Sequence, residues 1–471
     1  MAYHGLTSRQ VALLVALAAA GIALRFAALD RSYWFDELAT LNSVDASSLR
    51  VVLQNTSQDN QPPLYNSAVY AWIGAFGLSE VAVRSLSVLF GLLALFTPWL
   101  ARAALSRTQK LLICTILCLM PLPIRYAQEA RNYSLMFLLS ATCLFCYYEI
   151  LCAKARQATQ QLLPLQGLLY ASLILLAFSH IFGLILAASF LAVMFWQQPR
   201  LLGRVLLVVF GAALSAAIVI PLIHGGSGRL AGGNFWITFS AESLSTQLLW
   251  VFTPVGLVLL SYALVLWRRD AGRSRLDPAL LQVLMPFVLM LVGSIIISFN
   301  TPIITDRNLI GLIAAFALLT GWLLQRVFAR HAATVTCALL CLLLLQATAL
   351  TFSPYLFIQQ DFRAIALHSI ATDSRVCYVV PTAADRRLPR HLFGFYIVRI
   401  LRRPDLVPEL LRPSEVPQDL STHDFTLCAE ANLSRRGVSL LRTMPQFSRC
   451  TDVPRGKPGV RIASELLDCR S

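Results

Sequence analysis

The chain has 471 residues, of which 57% are hydrophobic and 13% are charged, and its mean hydropathy is +0.66. Soluble globular domains are near half apolar and a quarter charged, so this composition excludes a water-soluble globule and indicates a polytopic membrane protein. The net charge of +15 does not indicate nucleic-acid binding, because the basic residues fall mostly in short clusters between apolar runs, where they encode topology.

Apolar runs long enough to span a membrane, which takes about 20 residues, recur along the chain up to residue 352. There are eleven, beginning near residues 11, 81, 111, 134, 164, 181, 203, 247, 279, 308 and 333. No convincing cleavage site follows the first run, so we expect it to be retained as a span. Lysines and arginines cluster in alternate connections, and the positive-inside rule therefore places the N-terminus in the cytoplasm and everything after residue 352 outside. The sequence thus predicts an all-α polytopic membrane domain over residues 1–355.

Two stretches of this membrane domain are less regular. Residues 64–76 carry apolar side chains at helical spacing, but flanking prolines and internal glycines limit their length. We interpret them as an interfacial helix within an outer-face loop over residues 30–80. Residues 164–197 form two short apolar runs that meet at His180. We expect a tight outward hairpin there, and a single long helix with one crossing fewer is the alternative.

The pattern changes after residue 356. Short apolar runs at Val376–Val380, Phe425–Cys428 and Val460–Ala463 alternate with helix-like stretches at 388–401 and 435–444. This alternation predicts a small α/β domain over residues 356–471 on the outer side. An oxidising compartment permits disulfides among its four cysteines, with the connectivity left open: Cys377, Cys428, Cys450 and Cys469. Zinc is a weaker interpretation, since these cysteines show no Cys-x-x-Cys spacing.

Asp36 and Glu37 are paired acids at the point where the chain leaves the bilayer after the first span. A charge at the bilayer centre costs at least about 2.5–3.5 kcal/mol, so acids beside a membrane face are either solvated loop residues or part of a site. Taken alone, the pair favours a solvated loop. Other polar clusters share the same outward face, however, and they favour a site with these two acids as catalytic candidates.

A polar turn follows the third span. Two prolines precede it, and we expect them to interrupt the helix and a new helix to begin near Tyr126. That helix sets Arg125 and Glu129 one turn apart, as in an i,i+4 ion pair. Gln128 and Arg131 lie on a neighbouring face. Arg131 opens an apolar span beside two polar side chains, where its planar donor fork suits a phosphate at the interface.

Three other polar features are weaker candidates. Arg84 lies one turn after an acid, so an i,i+4 ion pair is its simplest explanation. His180 is more typical of a satisfied buried histidine than of a catalyst. The dipeptide Asp306-Arg307 is either a local pair or a second phosphate ligand on the outward face. The glycine-rich loop from His224 to Glu242 matches no phosphate-binding loop, because no Lys-Ser/Thr follows its glycines. We interpret it as a flexible segment, for which a mobile lid over a site is one role.

Four motifs together resemble a known family. They are Trp34-Phe35-Asp36-Glu37, Gln61-Pro62-Pro63-Leu64-Tyr65, Glu80-x-x-x-Arg84-x-x-Ser87 and Tyr126-Ala127-Gln128-Glu129-Ala130-Arg131-Asn132-Tyr133. Their order over residues 30–140 resembles the bacterial branch of the GT-C glycosyltransferases, related to protein O-mannosyltransferases and the lipid A aminoarabinose transferase. Further on, Asp306-Arg307-Asn308 stands where the family has Arg-Tyr, and Asp361-Phe362-Arg363 resembles its Asp-Trp-Arg. The family's His-Pro-Pro is Gln61-Pro62-Pro63 here, so a role for that histidine does not carry over.

The resemblance implies a sugar donor carried on polyprenyl phosphate, transfer on the outer face of the bacterial cytoplasmic membrane, and inversion at the anomeric carbon. The acceptor is an envelope glycolipid, polysaccharide or protein. Asp36 is then the general base, and the other expected site residues are Glu37, Arg131, Glu129, Gln128, Arg125, Tyr65, Arg84, Arg307 and His180. The arginines stabilise the departing lipid phosphate. Two roles stay open for Glu37, namely orienting Asp36 or the acceptor and holding a divalent cation, which only some relatives use.

Two other functions fit part of the pattern. A transporter or flippase for lipid-linked sugars also uses many spans and arginines, but it predicts broken helices at mid-bilayer and an internal repeat, and the sequence has no clear repeat. A non-catalytic scaffold that recruits an envelope partner requires a decayed site, and the retained Asp36 and Arg131 argue against decay. The predicted function is therefore a membrane glycosyltransferase.

Overall fold

The structure is a computed structural model that describes residues 6–56, 62–157, 162–197, 239–270, 276–326, 330–352, 362–373, 375–379, 396–400, 402–406, 409–411, 425–430, 450–452 and 465–468. Contacts within the chain group it into two compact units. The first unit comprises Met1–Ala28, Ser47–Ala71 and Arg84–Thr351, and the second comprises Leu29–Ala46, Trp72–Val83 and Phe352–Ser471. The second unit therefore includes two pieces of the outer loop that we predicted over residues 30–80.

Helices make up most of the described chain. They are α1 Ser8–Leu24, α2 Phe35–Val44, α3 Leu49–Thr56, α4 Leu64–Phe76, α5 Glu80–Phe96, α6 Arg107–Leu119, α7 Pro121–Ala127, α8 Tyr133–Ala155, α9 Leu162–Ser179, α10 Ile181–Gln197, α11 Ala241–Phe252, α12 Pro254–Asp270, α13 Pro278–Ser298, α14 Leu312–Arg326, α15 Arg330–Phe352 and α16 Phe362–Ala371. Short 3-10 turns lie at Thr97–Leu100, Arg307–Leu309 and Pro404–Leu406, and a π turn lies at Tyr396–Ile400. The predicted helix over residues 64–76 is α4, and its position at the membrane interface stays a prediction.

Within the described residues, five helical segments are long and apolar enough to cross a membrane: Glu80–Leu100, Tyr133–Ala155, Leu162–Ser179, Pro278–Ser298 and Ala333–Phe352. The number rises to seven if two bent pairs each cross once: Arg107–Leu119 with Pro121–Ala127, and Ala241–Phe252 with Pro254–Arg269. The chain thus has the helices of a multi-pass membrane protein, as its composition indicates. The count of eleven stays a prediction. The run near residue 203, and the glycine-rich loop as far as residue 238, lie outside the described residues.

Helix α8 is the central helix of the first unit. Its apolar window is 94% buried, more than that of any other described span, and it packs against α7, α9, α13 and α14. A helix that is apolar on all sides is stable only where other helices surround it or where lipid covers it. The N-terminal end of α8 therefore has a well-defined position, and the polar turn that precedes it shares that position.

The hairpin predicted within residues 164–197 is confirmed. Helix α9 ends at Ser179 and α10 begins at Ile181, so a single long helix is excluded. The two helices pack closely against each other after the break. A Cβ atom built on Gly183 would lie 2.3 Å from the carbonyl oxygen of Leu176, so only a residue without a side chain permits this approach.

The second unit contains a five-stranded sheet made of β1 Arg375–Val379, β2 Glu409–Leu411, β3 Phe425–Glu430, β4 Thr451–Asp452 and β5 Glu465–Asp468. The strand order is β2-β1-β3-β5-β4. Strand β1 runs parallel to β2 and β3, while β5 runs antiparallel to β3 and β4. The strands β1 and β3 lie where the apolar runs predicted them. The predicted strand at 460–463, the helix at 435–444 and most of the stretch at 388–401 lie outside the described residues.

Two of the four cysteines of the C-terminal region, Cys377 and Cys450, are disulfide-bonded. The side chain of Cys428 and the whole of Cys469 lie outside the described part of the chain. Disulfides persist in oxidising compartments, so the two bonded cysteines agree with the expectation that this region lies outside the cytoplasm.

Candidate active site

The polar turn singled out by the sequence joins α7 to α8. Helix α6 ends at Leu119, and the chain bends by 62° before α7 begins at Pro121. The predicted break is confirmed, but the new helix begins at Pro121 and not near Tyr126. The reason is that proline suits the first position of a helix, where its missing N–H removes no hydrogen bond. Arg125 consequently lies in the last turn of α7, and it still pairs with Glu129, with 3.5 Å between Nε and Oε1.

Arg131 and Glu129 are buried within this turn, with 8% and 7% of their surface exposed. The backbone N–H of Arg131 donates to the carbonyl of Glu129 at 2.8 Å. The hydroxyl of Ser87 donates to the carbonyl of Arg131 at 3.4 Å, and it lies 2.8 Å from the hydroxyl of Tyr65. Side chains from α5 and α4 therefore hold the backbone of Arg131 in place. Tyr65, one of the expected ligands, lies two hydrogen bonds away from Arg131.

Tyr133, the first residue of α8, is the centre of an aromatic and cationic cluster. Its ring lies 4.8 Å from the ring of Tyr126 and 5.7 Å from that of His180, measured between centroids. The guanidinium carbon of Arg307 lies 5.7 Å from the centroid of the Tyr133 ring, which is a cation–π distance. The cluster thus joins α8, the α9–α10 hairpin and the 3-10 turn at Arg307–Leu309.

His180 lies within the reach of two positive charges. Burial, and then the charges of Arg131 and Arg307, lower the pKa of His180 to about 3. Its Nδ1 accepts a hydrogen bond from the backbone N–H of Phe182 at 3.0 Å. A neutral imidazole with Nδ1 as acceptor carries its proton on Nε2, so His180 is a neutral hydrogen-bond donor at physiological pH.

The turn and the hairpin are also joined directly. The side-chain amide of Asn132 donates to the carbonyl of Ser179 at 2.8 Å. The residue that follows Arg131 is therefore bonded to the residue that precedes His180. Two guanidinium groups thus bring positive charge to the surroundings of this imidazole, and the buried carboxylate of Glu129 lies in the same turn as Arg131.

Two other expected ligands of the first unit have different surroundings. Gln128 is buried, and its Nε2 donates to the carbonyl of Leu24 at 2.7 Å. Arg84 is buried in α5 with 3% of its surface exposed. The pairing of Arg84 with Glu80 stays a prediction, and Glu80 has partners from the C-terminal segment that are far from it in sequence.

Asp36 belongs to the second unit and lies in the first turn of α2. It is half-buried, and its carbonyl accepts a hydrogen bond from the hydroxyl of Thr40 at 3.2 Å. Glu37 is completely buried, and its Oε2 accepts from the backbone N–H of Trp34 at 3.2 Å. A glutamate at this position that reaches back to the residue before the helix is a capping interaction. Glu37 thus defines where α2 begins, and through that the position of Asp36.

Glu80 links the segment that precedes Asp36 to the C-terminal region. Its Oε1 accepts from a guanidinium nitrogen of Arg363 at 3.3 Å and from the hydroxyl of Tyr396. The backbone N–H of Arg363 donates to the hydroxyl of Ser32 at 3.1 Å. The rings of Tyr33 and Tyr396 pack together at 6.1 Å. Residues three and four positions before Asp36 are therefore anchored to α16 and to the π turn.

The structure also tests the acids as metal ligands within the described residues. No group of three or more His, Cys, Asp or Glu side chains lies there in an arrangement that suits a metal ion. One carboxylate oxygen of Glu37 is already used by the helix cap. Both roles of Glu37, orienting Asp36 or the acceptor and holding a divalent cation, stay predictions.

Several contact residues of these clusters were not among the predicted site residues, and four of them show what the sequence could reveal. Ser87, Asn132 and Arg363 stand inside motifs of the family pattern, so the motifs themselves carried a signal for them. Tyr396 stands in no motif, and only its contact with Glu80 identifies it.

No protein-family profile matches the chain, and no characterised protein matches it by sequence. Its structure is similar to that of ArnT from Cupriavidus metallidurans, solved in the apo state and bound to undecaprenyl phosphate. The TM-score is 0.56 in each case, with 14% identity over 98% of both chains. It is also similar to the oligosaccharyltransferase AglB of Archaeoglobus fulgidus, with a TM-score of 0.51 for the apo form, 11% identity, and coverage of 89% of this chain and 69% of that one.

ArnT, a lipid A aminoarabinose transferase, and AglB are both members of the GT-C superfamily. The chain has the GT-C fold. At these levels of identity the likeness concerns the fold, and it extends over nearly the whole chain in the case of ArnT. This likeness of fold agrees with the GT-C resemblance that the four motifs indicate.

Proposed function

We propose that this protein is a membrane glycosyltransferase that transfers a sugar from a polyprenyl-phosphate donor to an envelope acceptor. The acceptor is a glycolipid, a polysaccharide or a protein, and transfer takes place on the outer face of the bacterial inner membrane. The observation that carries the proposal is the cluster in which Arg307 lies over the Tyr133 ring, Tyr133 packs against His180, and the residue after Arg131 bonds to the residue before His180, in a chain with the GT-C fold.

The donor class is supported from two directions. The ArnT structure that resembles this chain is bound to undecaprenyl phosphate, and an AglB structure with a TM-score of 0.50 contains a dolichol-phosphate. In this chain, two arginines beside a neutral histidine donor supply the charge and the hydrogen bonds that a phosphate needs. A long isoprenoid remains in the bilayer, while its phosphate binds to such a cluster.

The proposed reaction is a single inverting displacement. The acceptor hydroxyl oxygen attacks the anomeric carbon, and the bond between that carbon and the phosphate oxygen breaks with its electron pair leaving on the polyprenyl phosphate. The hydroxyl proton passes to the carboxylate of Asp36, which acts as general base and contributes about 10²–10⁴-fold to the rate. Arg131 and Arg307 stabilise the negative charge that develops on the departing phosphate.

The half-buried position of Asp36 in the first turn of α2 supports this role. The buried cap made by Glu37 restricts the orientation of the turn that presents it. His180, being neutral with its proton on Nε2, acts in the proposal as a donor to the phosphate and not as a general acid.

Asp36→Asn and Arg131→Ala test the two roles separately. Asp36→Asn preserves the shape of the side chain but removes the proton acceptor, so turnover should fall by about 10²–10⁴-fold while affinity for the lipid donor is retained. Arg131→Ala should impair both donor binding and turnover, and Arg131→Lys should restore only part of the loss because the planar fork is absent. Donor binding and transfer into envelope extract are the two measurements.

Two exposed residues provide matched controls, Asp30→Asn and Arg50→Ala. Each repeats the chemical change of a test variant on a solvent-exposed side chain, and wild-type activity is expected in both. Full transfer by Asp36→Asn would disprove the general-base role, and unchanged donor affinity in both Arg131 variants would assign the phosphate site to other residues.

Mass spectrometry of envelope lipids and glycans, with and without the gene, identifies the acceptor and the sugar. Reconstitution in vesicles separates the proposal from a flippase for lipid-linked sugars. A purified transferase forms a new glycosidic bond between donor sugar and acceptor, whereas a flippase moves the lipid-linked sugar across the vesicle membrane and forms no new glycosidic bond.

A further inference from the structure

Arg25 is a completely buried arginine at the C-terminal end of α1, and none of the roles above uses it. Its guanidinium donates to three backbone carbonyls. One Nη is 2.6 Å from the oxygen of Gly21 and 2.9 Å from that of Cys118, and the other is 3.1 Å from the oxygen of Leu117. Each described hydrogen bond of its side chain is therefore accepted by a backbone carbonyl. This arrangement is unusual, because a buried cation normally requires a carboxylate partner.

The three carbonyls belong to the ends of two helices. Gly21 lies in the last turn of α1, while Leu117 and Cys118 lie in the last turn of α6. Carbonyls in the last turn of a helix lack their usual donors, and the helix dipole makes this end negative. A single guanidinium with several donors in one plane suits such a pair of helix ends, and it provides the positive charge that both favour.

The end of α6 needs this donor for a specific reason. In a continuous helix the carbonyl of Leu117 accepts from the N–H four residues later, and that residue is Pro121, which has no N–H. The proline that creates the bend between α6 and α7 thus removes a hydrogen bond, and Arg25 replaces it. The bend is the same one that directs the chain into the turn that carries Arg131.

Two further contacts connect α1 to this bend and turn. A Cβ atom on Gly21 would lie 2.4 Å from the carbonyl oxygen of Cys118, so the close approach of α1 to α6 requires glycine. The carbonyl of Leu24, in the last turn of α1, accepts from Nε2 of Gln128 in the polar turn. The side chain of Leu24 packs against Ile124 of α7.

We propose that Arg25 is a positioning residue, which holds the α6–α7 bend so that the following turn presents Arg131 to the phosphate of the donor. This inference rests on the proposed function as far as the effect of Arg25 on catalysis is concerned. The step that Arg25 performs, capping two helix ends at the bend, does not depend on the identity of the substrate.

The test compares Arg25→Met, Arg25→Lys and Gly21→Ala with the exposed control Arg50→Met. Hydrogen–deuterium exchange is measured over residues 117–133, with helix α13 as an internal reference. Arg25→Met and Gly21→Ala should raise exchange in residues 117–133 but not in α13. They should also weaken binding of undecaprenyl phosphate and lower turnover by about 100-fold, which is the effect on rate of misplacing a group by about 1 Å. Arg25→Lys should give a smaller effect, because an ammonium group is a point charge that cannot reach all three carbonyls in one plane.

Several outcomes would overturn the proposal. One is exchange over residues 117–133 that equals the control in both Arg25→Met and Gly21→Ala. Exchange that rises equally in α13 would mean a general loss of packing and not a local role. Weaker ligand binding with unchanged exchange would mean that Arg25 contacts the ligand directly. If Arg25→Met does not fold, the exchange measured in Gly21→Ala decides whether the bend is held from α1. That variant disturbs the contact between α1 and α6 without changing a charge. If the wild-type protein does not bind undecaprenyl phosphate, the proposed function fails, and the exchange data still decide whether Arg25 holds the bend.

Discussion

Replacing Tyr396 by phenylalanine measures how firmly the C-terminal segment holds the loop that carries Asp36. The Tyr396 hydroxyl donates to the carboxylate of Glu80, and both residues are buried, with 0% and 9% of their surface exposed. A hydrogen bond to a charged group contributes about 1.5–3 kcal/mol to the free energy of unfolding. In the variant Glu80 still accepts from Arg363, so the carboxylate is not left without a partner. We therefore expect a loss in the lower part of this range, about 1.5–2 kcal/mol.

Arg363→Met provides the comparison within the same cluster. It removes the ion pair to Glu80, but 40% of the Arg363 side chain is exposed, so water screens the pair and compensates for much of its loss. The expected cost is less than about 1 kcal/mol. We therefore expect the buried hydroxyl of Tyr396 to contribute more to the free energy of unfolding than the partly exposed guanidinium of Arg363.

Thermal unfolding of the detergent-purified protein, followed by intrinsic fluorescence, measures both effects. For a cooperative unit of about 150–250 residues, each kcal/mol lowers Tm by about 2–4 °C, so Tyr396→Phe should lower Tm by about 3–8 °C and Arg363→Met by less than about 4 °C. Tyr70→Phe, on a half-buried tyrosine of α4, is the control and should leave Tm unchanged. A double-mutant cycle with Glu80→Gln should show coupling of at least about 0.5 kcal/mol. A larger loss in Arg363→Met than in Tyr396→Phe, or additive effects of Glu80→Gln and Tyr396→Phe, would refute the reasoning.

Three further predictions concern topology, protonation and metal use. Reporter fusions after Arg107, Arg273 and Ser471 should indicate cytoplasm, cytoplasm and outside, and a cytoplasmic report from the last would show that a crossing has been miscounted. Because the pKa of His180 is lowered to about 3 by burial and by nearby positive charge, this residue stays neutral above about pH 5. The turnover of His180→Asn should then fall by about tenfold for one lost hydrogen bond, with a pH profile of unchanged shape between about pH 5 and 8, and a step present only in the wild type would contradict this. Glu37→Gln keeps an acceptor for the cap of α2, so its activity should fall only modestly and should not respond to divalent metal. A large loss that added metal restores would instead favour an ion site.

The sequence by itself determined the features that depend on local chemistry. Apolar runs predicted the spanning helices, because a helix in lipid satisfies its backbone internally and needs only apolar side chains outside. Pro121 predicted the break after α6, and the two apolar runs around His180 predicted a hairpin, since both signals lie within a few residues of the features they determine. The strands β1 and β3 appeared where short apolar runs followed the last span. The motif order around Asp36 and Arg131 resembles that of the GT-C glycosyltransferases, and the fold of the chain agrees with this resemblance.

Only the tertiary structure decided which groups bond to one another across long separations. Local spacing predicts Arg84 as a partner of Glu80, and only the structure shows that this acid also bonds to Arg363 and Tyr396, which are 283 and 316 positions away. Arg25 stands at the end of an apolar run and in none of the motifs. Its role depends on carbonyls 92 and 93 positions further along the chain. The physical reason is that hydropathy and helical period describe what a segment requires of its surroundings, namely lipid, packing or a hydrogen-bond donor. Which distant segment meets that requirement is determined by how the helices pack.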